Sequence, residues 1–128
     1  MATVPEDLRY SKDHEWVAFD EDTAVATVGI TDYAQGELGD VVFVELPAEG
    51  ADVTAHTACG TIEAVKAVAE LFAPVSGTVV AVNAALEDSP ETVNADPYGA
   101  GWMLRIQVAD RAELDDLMEA AGYLEHIG

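Results

Sequence analysis

The chain has 128 residues, half of them apolar and under a quarter charged, which predicts a single folded domain, 1–128, rather than a disordered chain or two domains. Twenty-five acids against five bases leave a net charge of −20; such a surface repels nucleic acid and anionic membranes, whose phosphates need Lys and Arg to release their counterions. No apolar run reaches the ~20 residues of a membrane span, residues 1–16 lack a basic-then-apolar leader pattern, and the lone Cys59 cannot close an internal disulfide, so a cytoplasmic location is expected.

The acids are scattered through turns and polar faces, as in Asp20-Glu21-Asp22, Glu87-Asp88 and Asp115-Asp116. Scattered carboxylates make a solvated surface, whereas a mimic of nucleic acid needs dense charge along one face. Self-repulsion of one-signed charge weakens a compact state, and at molar salt the screening length falls to about 3 Å. The composition therefore predicts the cytoplasm of a high-salt-adapted organism.

In chain order, His14 to Phe19 and Ala24 to Val28 are β-rich runs around an acidic turn and predict a hairpin. Thr31-Asp32 caps a short helix through Leu38 that Gly39 ends. Val41 to Leu46 reads as a strand stopped by Pro47, Ala51 to Ala58 as another short strand, Val79 to Val82 as a third, and Trp102 to Val108 as the last. At the C-terminus, Asp110 with Glu113 resembles a capping box, Leu114, Leu117, Met118 and Ala121 keep helical spacing, and Gly122 suits a stop, which predicts a helix over 110–121. The fold class is mainly β, with short accessory helices and that terminal helix.

A faint internal repeat supports a two-part core over about 24–106. Gly39, Val41, Val42 and Val44 match Gly77, Val79, Val80 and Val82 at an offset of 38, and Val53 matches Val93 at 40. Each half reads as strand, turn, short strand. Two such halves bury their apolar faces against each other as a flattened barrel or sandwich.

Lys66 is one of only two lysines and lies in IEAVKAVAELF, between the halves. Two readings of this segment stand side by side. The repeat makes it a corner connection with Lys66 at an exposed tip. Periodicity makes it an amphipathic helix, since Ile62, Val65, Ala69 and Phe72 fall at helical spacing and Glu63, Lys66 and Glu70 form i,i+3 and i,i+4 pairs on its outer face. Alanine content also favours the helix.

Several long stretches resemble the H protein family of the glycine cleavage system: His14-Glu15-Trp16-Val17, GITDYAQGELGDVVFVELP from Gly29 to Pro47, IEAVKAVAELFAPVSGTVVAVN from Ile62 to Asn83, then Leu86, Pro90, Asn94, Asp96-Pro97-Tyr98-Gly99 and Gly101-Trp102-Met103. Their order and spacing span most of the chain, far more than a lone short motif. The resemblance implies a flattened β-barrel of the lipoyl-domain type with Lys66 on a hairpin tip, overriding the helix reading of 62–72. It implies lipoate joined covalently to Lys66 by an amide, with Glu63 and Gly77 as the context read by the attaching enzyme, and it makes Glu15 a candidate wall of a cleft sheltering the arm. A strand-end carboxylate facing water is the alternative for Glu15.

The same resemblance implies a carrier rather than an enzyme. The arm, roughly 14 Å long at standard bond lengths, would carry an aminomethyl group from a pyridoxal-phosphate glycine decarboxylase (P protein) to a tetrahydrofolate-dependent aminomethyltransferase (T protein). A flavin (FAD) dihydrolipoyl dehydrogenase (L protein) would reoxidise it, and a lipoate ligase or lipoyl transferase would attach it. The reactive sulfurs belong to the cofactor. Alternatives are an H-like protein relaying lipoyl groups to other enzymes, and a biotin carrier, against which stands the flanking of Lys66 by Val65 and Ala67 instead of Met.

No catalytic or metal site is expected. His14 and Glu15, adjacent on a strand, would face opposite ways. Cys59 has no cationic neighbour in sequence, and His56 and His126 lack partners at a metal-ligand spacing. Trp16 and Trp102 read as core, Tyr98 as a turn anchor.

Overall fold

A computed structural model describes residues 3–127; Met1, Ala2 and Gly128, the ends of the expected 1–128 domain, lie outside the described residues. In chain order the elements are β1 (Arg9–Tyr10), β2 (Glu15–Asp20), β3 (Val25–Ile30), α1 (Asp32–Leu38), β4 (Val41–Glu45), β5 (Asp52–Val53), β6 (Ala58–Ala64), β7 (Val68–Phe72), β8 (Gly77–Val82), α2 (Ala85–Asp88), α3 (Thr92–Ala95), β9 (Leu104–Val108), a 3-10 turn (Arg111–Asp116) and α4 (Ala120–Ile127). They form a six-stranded sheet, β1-β2-β3-β9-β8-β5, and a three-stranded sheet, β4-β6-β7.

The internal repeat is visible in the ladders. β6 pairs with β4 and β7 as β9 pairs with β8 and β3, all antiparallel. The register slips between Val41 and Phe43 in one half and between Val79 and Ala81 in the other, the same offset of 38. The second half departs from the expected pattern at Val93, which lies buried in the helix α3 and not in a short strand.

Period-two alternation makes the faces. In β9, Leu104, Ile106 and Val108 point inward while Arg105 and Gln107 point out. These residues meet Ile62, Leu71, Val79 and Val28 in the main core, and full burial of a side chain of this size contributes about 1.5–3 kcal/mol. A second cluster, Tyr10, Trp16, Ala120 and Tyr123, lies where the N-terminal strands meet α4.

Two expectations from periodicity are corrected. Residues 62–72 form the β6–β7 hairpin, not a helix. A helical stripe would need Val65 inside, yet Val65 is 72% exposed, while Ile62 and Leu71 fill the core from facing strands. The ladder with β4 supplies partners that a lone helix lacks. Near the C-terminus, the helix expected over 110–121 is a capped 3-10 turn followed by α4, and Gly122 lies inside α4. Asp110 does cap, accepting from Ala112 N at 3.0 Å, but the Glu113 carboxylate accepts instead from Ser76 N and Oγ at 2.8 and 3.0 Å. Met118 then pairs with Tyr10 through two backbone bonds of 2.7 and 2.8 Å, so the chain must be extended there.

Candidate functional site

Lys66 is exposed in the bend between β6 and β7. Ala64 N donates to Ala67 O at 2.9 Å and closes the turn. The tip leans on the α1–β4 corner: Val65 N donates to Asp40 O at 2.9 Å and Lys66 N to Leu38 O at 3.3 Å. Gly39 forms that corner with φ +80°, and a β-carbon there would stand 3.2 Å from Lys66 Cγ and Cδ. The lysine stem thus crosses a position that glycine leaves open.

The corner is built from both sides. The Thr31 hydroxyl caps α1 by accepting from Ala34 N at 3.2 Å. From α3, the Asn94 amide accepts from Val41 N at 2.8 Å and donates to Gly39 O and Gln35 Oε1 at 2.8 and 2.9 Å. Asn94 was legible only as part of the family motif; no local pattern connects it with residues 35–41.

Beside the hairpin lies a cleft of about 260 Å³, with Ile30, Ala34, Leu38, Ile62 and Ala69 among its apolar walls and Glu15, His14 and Glu70 among its polar ones. Glu15 does not face water. It is 1% exposed, accepts from Ser11 Oγ at 2.6 Å and lies 3.4 Å from Phe72 N. Burial pushes its carboxyl up to about 8, against the opposing pull of those two donors. His14 lines the same cleft, contrary to the opposite-face expectation, because it precedes β2 with φ 70° and escapes strand alternation. Its Nδ1 is 2.8 Å from Tyr123 Oη, which is 2.7 Å from Thr31 Oγ1, and burial lowers its pKa.

The remaining expected residues separate. Glu63 is exposed on the outer face of β6, between Phe43 and Val68. Gly77 is not at the tip. It opens β8, beyond the far end of β7, where a β-carbon would come within 2.0 Å of Gln107 O; it serves close strand packing. Cys59 is half-buried, and burial first, then Glu15, pushes its thiol up to about 11, away from nucleophilic thiolate. Trp16 is buried and donates to Pro97 O at 2.9 Å. Trp102 is only half-buried, beneath the Arg105 guanidinium at 4.3 Å. Tyr98 Oη accepts from Asp32 N at 3.0 Å and donates to Thr3 O at 2.6 Å, tying its turn to the start of α1.

A larger cleft of about 410 Å³ lies elsewhere and is crossed by Arg9 and Arg111. Both guanidiniums are engaged with carbonyls, of Leu114 at 3.1 Å and Glu21 at 2.9 Å, so this region is a structural tie. Among the described residues no His, Cys, Asp and Glu group is arranged for a metal ion.

An amide-linked dithiolane needs an exposed primary amine and an apolar shelter near it; the Lys66 tip and the adjoining cleft fit both needs. The sequence model of the family described as glycine cleavage H-protein matches residues 8–127. The chain belongs to the glycine cleavage H-protein family. It is 60% identical to the glycine cleavage system H protein of Chlorobium phaeovibrioides over 98% of both chains. It is 56% identical to a probable H protein of Haloarcula marismortui, covering 97% of this chain and 96% of that one. A crystal structure of the H protein of Mycobacterium marinum superposes with a TM-score of 0.86 at 40% identity, covering 98% and 99% of the two chains. The H protein is the lipoyl carrier of the glycine cleavage system, and its family carries lipoate on a lysine.

Proposed function

We propose that Lys66 is the lipoylated lysine and that this chain carries, without catalysing, the aminomethyl group of the glycine cleavage cycle. The observation that supports this is Lys66 standing exposed on a turn whose two amides are tethered to Leu38 and Asp40. When bound, lipoate supplies a disulfide that takes up the one-carbon amine fragment together with two electrons. The chain's own residues do the positioning. The hairpin holds the amine away from the core, Gly39 leaves room for the stem, and the Ile62 and Ala69 side offers the arm an apolar resting place. Glu15, buried, with its carboxyl pushed up to about 8, walls that place. Tethering raises the local concentration of the carried group at each partner.

The partners are a pyridoxal-phosphate glycine decarboxylase, an aminomethyltransferase and a dihydrolipoyl dehydrogenase, with a lipoate ligase or lipoyl transferase attaching the arm and reading Glu63. Intact mass of the protein from its host tests the reading: a lipoyl increment that Lys66→Ala abolishes is expected. A biotin increment, or an unmodified chain in lipoate-replete cells, sinks it. Glycine–bicarbonate exchange with the decarboxylase then distinguishes glycine cleavage from relay of lipoyl groups. The net charge of −20 and the likeness to a Haloarcula protein support a high-salt cytoplasm, and no helix among the described residues is long and apolar enough to cross a membrane. Melting temperature rising from low to multimolar KCl is expected; equal stability in both counts against salt adaptation.

A further inference from the structure

Val42, Phe43, Val65 and Val68 are 57%, 46%, 72% and 66% exposed. All four belong to the three-stranded sheet or its hairpin tip. Phe43 is opposite Glu63 on β6, and Glu63 is opposite Val68 on β7. Residues so paired share a face, so Phe43 and Val68 flank Glu63 on the outer surface, about 10 Å apart across two strand spacings. The register slip at Val41/Phe43 leaves Val42 outward as well, and Val65 immediately precedes Lys66.

The fold does not need these side chains, because Val41, Val44, Ile62 and Leu71 fill the inner face of the same sheet. Val42 has an exposed counterpart in Val80, 43% exposed, but Phe43 and Val68 do not follow from the repeat. The equivalent row in the other half is Ala81, Arg105 and Thr27, with Arg105 folded over Trp102. An apolar row on the outer face that only the lysine-bearing half carries marks a contact surface. Its fringe carries the exposed carboxylates Asp40, Glu45 and Glu70, Glu63 stands between Phe43 and Val68, and acylation removes the charge of Lys66.

We propose that Val42, Phe43, Val65 and Val68 are the docking face for the enzyme that loads the arm. The complementary surface is an apolar patch rimmed by Lys and Arg, beside the mouth of that enzyme's active-site channel. The proposal rests on Lys66 being the attachment point, since whatever the arm enters must close over the surface around its root. In molar salt the charges of the rim and of Glu63 are screened within about 3 Å, which leaves the four apolar side chains to hold the complex.

The test uses lipoylated full-length protein, checked by mass, as substrate of glycine decarboxylase in glycine–bicarbonate exchange. The double variant Phe43→Thr/Val68→Thr keeps β-favouring residues. At about 3 M KCl its KM is expected to rise roughly tenfold, as for loss of anchor residues, with kcat and melting temperature unchanged, while the wild-type KM does not rise between low and high salt. Val65→Ser, outside the strands, gives a second reading if the double variant fails to fold, with a rise of roughly threefold expected, as for a lesser contact. Unchanged KM in equally lipoylated, equally stable variants overturns the docking face alone. So does a wild-type dimer that the variants dissolve without a change in KM, because the face would then belong to a second copy. A wild type that carries no lipoyl group overturns the carrier reading and this face with it.

Discussion

The two halves of the repeat share a ladder pattern and differ in what stands at equivalent positions. Gly39 and Gly77 occupy the same place at an offset of 38. In the second half β9 runs on past the slip, so Gly77 pairs with Val108 and packs under the Gln107 carbonyl. In the first half the chain turns at the equivalent point, and Gly39 lies under the Lys66 stem. The outer edges differ as well. β3 is covered by β2, whereas its counterpart β7 ends its sheet and borders the cleft. One half has been completed as structure. The other, built from the same plan, is left open at its tip, edge and outer face, and the open places are where a carried group needs room.

Breaking the closed half has the largest expected effect. Gly77→Ala forces a β-carbon against backbone, and overpacking of this kind costs about 3 kcal/mol or more; a melt or urea titration reads the loss. An unperturbed melting temperature would show that the halves do not differ as described.

The seam between β7 and β2 comes next, through Glu15. Its carboxyl, pushed up to about 8 by burial, titrates in the ordinary carboxylate range in the unfolded chain. Between those values the folded protein holds a proton that the unfolded chain has lost, so this group's contribution to stability falls as pH rises through that window. Glu15→Gln keeps a neutral side chain throughout. Between about pH 5 and about pH 9 the wild type is expected to lose more stability than the variant, by on the order of a few kcal/mol. Parallel pH profiles would remove Glu15 from the buried, protonated role.

Opening the other glycine is milder for folding and more specific for the arm. Gly39→Ala places a side chain at φ +80°, a strain of about 1–3 kcal/mol, and displaces the Lys66 stem. It is expected to lower the melting temperature less than Gly77→Ala, yet to slow lipoylation of the folded protein in a mass-resolved time course. Normal lipoylation would remove Gly39 from the seat of the arm. The smallest effect is expected at the mirror bulge. Val80, 43% exposed, should tolerate Val80→Thr with unchanged stability and unchanged KM for the decarboxylase. A rise matching that of the Phe43/Val68 pair would make the apolar face generic.

Local chemistry made much of this molecule legible beforehand. Thr31 and Gly39 bound α1 as expected, the strands around residues 15–30 pair as a hairpin, and the Val-rich repeat anticipated two matching ladders. Periodicity alone misled where one segment satisfied two patterns, although the family resemblance already implied the hairpin at 62–72. Residues 62–72 carry apolar side chains at spacings that suit a helix, and only the ladder to β4, whose partners Glu45 and Thr61 are far apart in sequence, makes the strand lower in free energy. Residues 110–121 keep helical spacing too, but Met118 is drawn into pairing with Tyr10 from the opposite end of the chain.

The sequence by itself determined the charge, the caps, the mainly β character and, through its long motifs, the family. Tertiary structure alone decided the burial of Glu15, the seat that Asn94 builds for the hairpin, and which half keeps its apolar face bare. Caps and alternation are set by neighbours within a few residues, while burial and cross-strand pairing depend on groups dozens of residues away, whose contacts exist only once the chain has closed on itself.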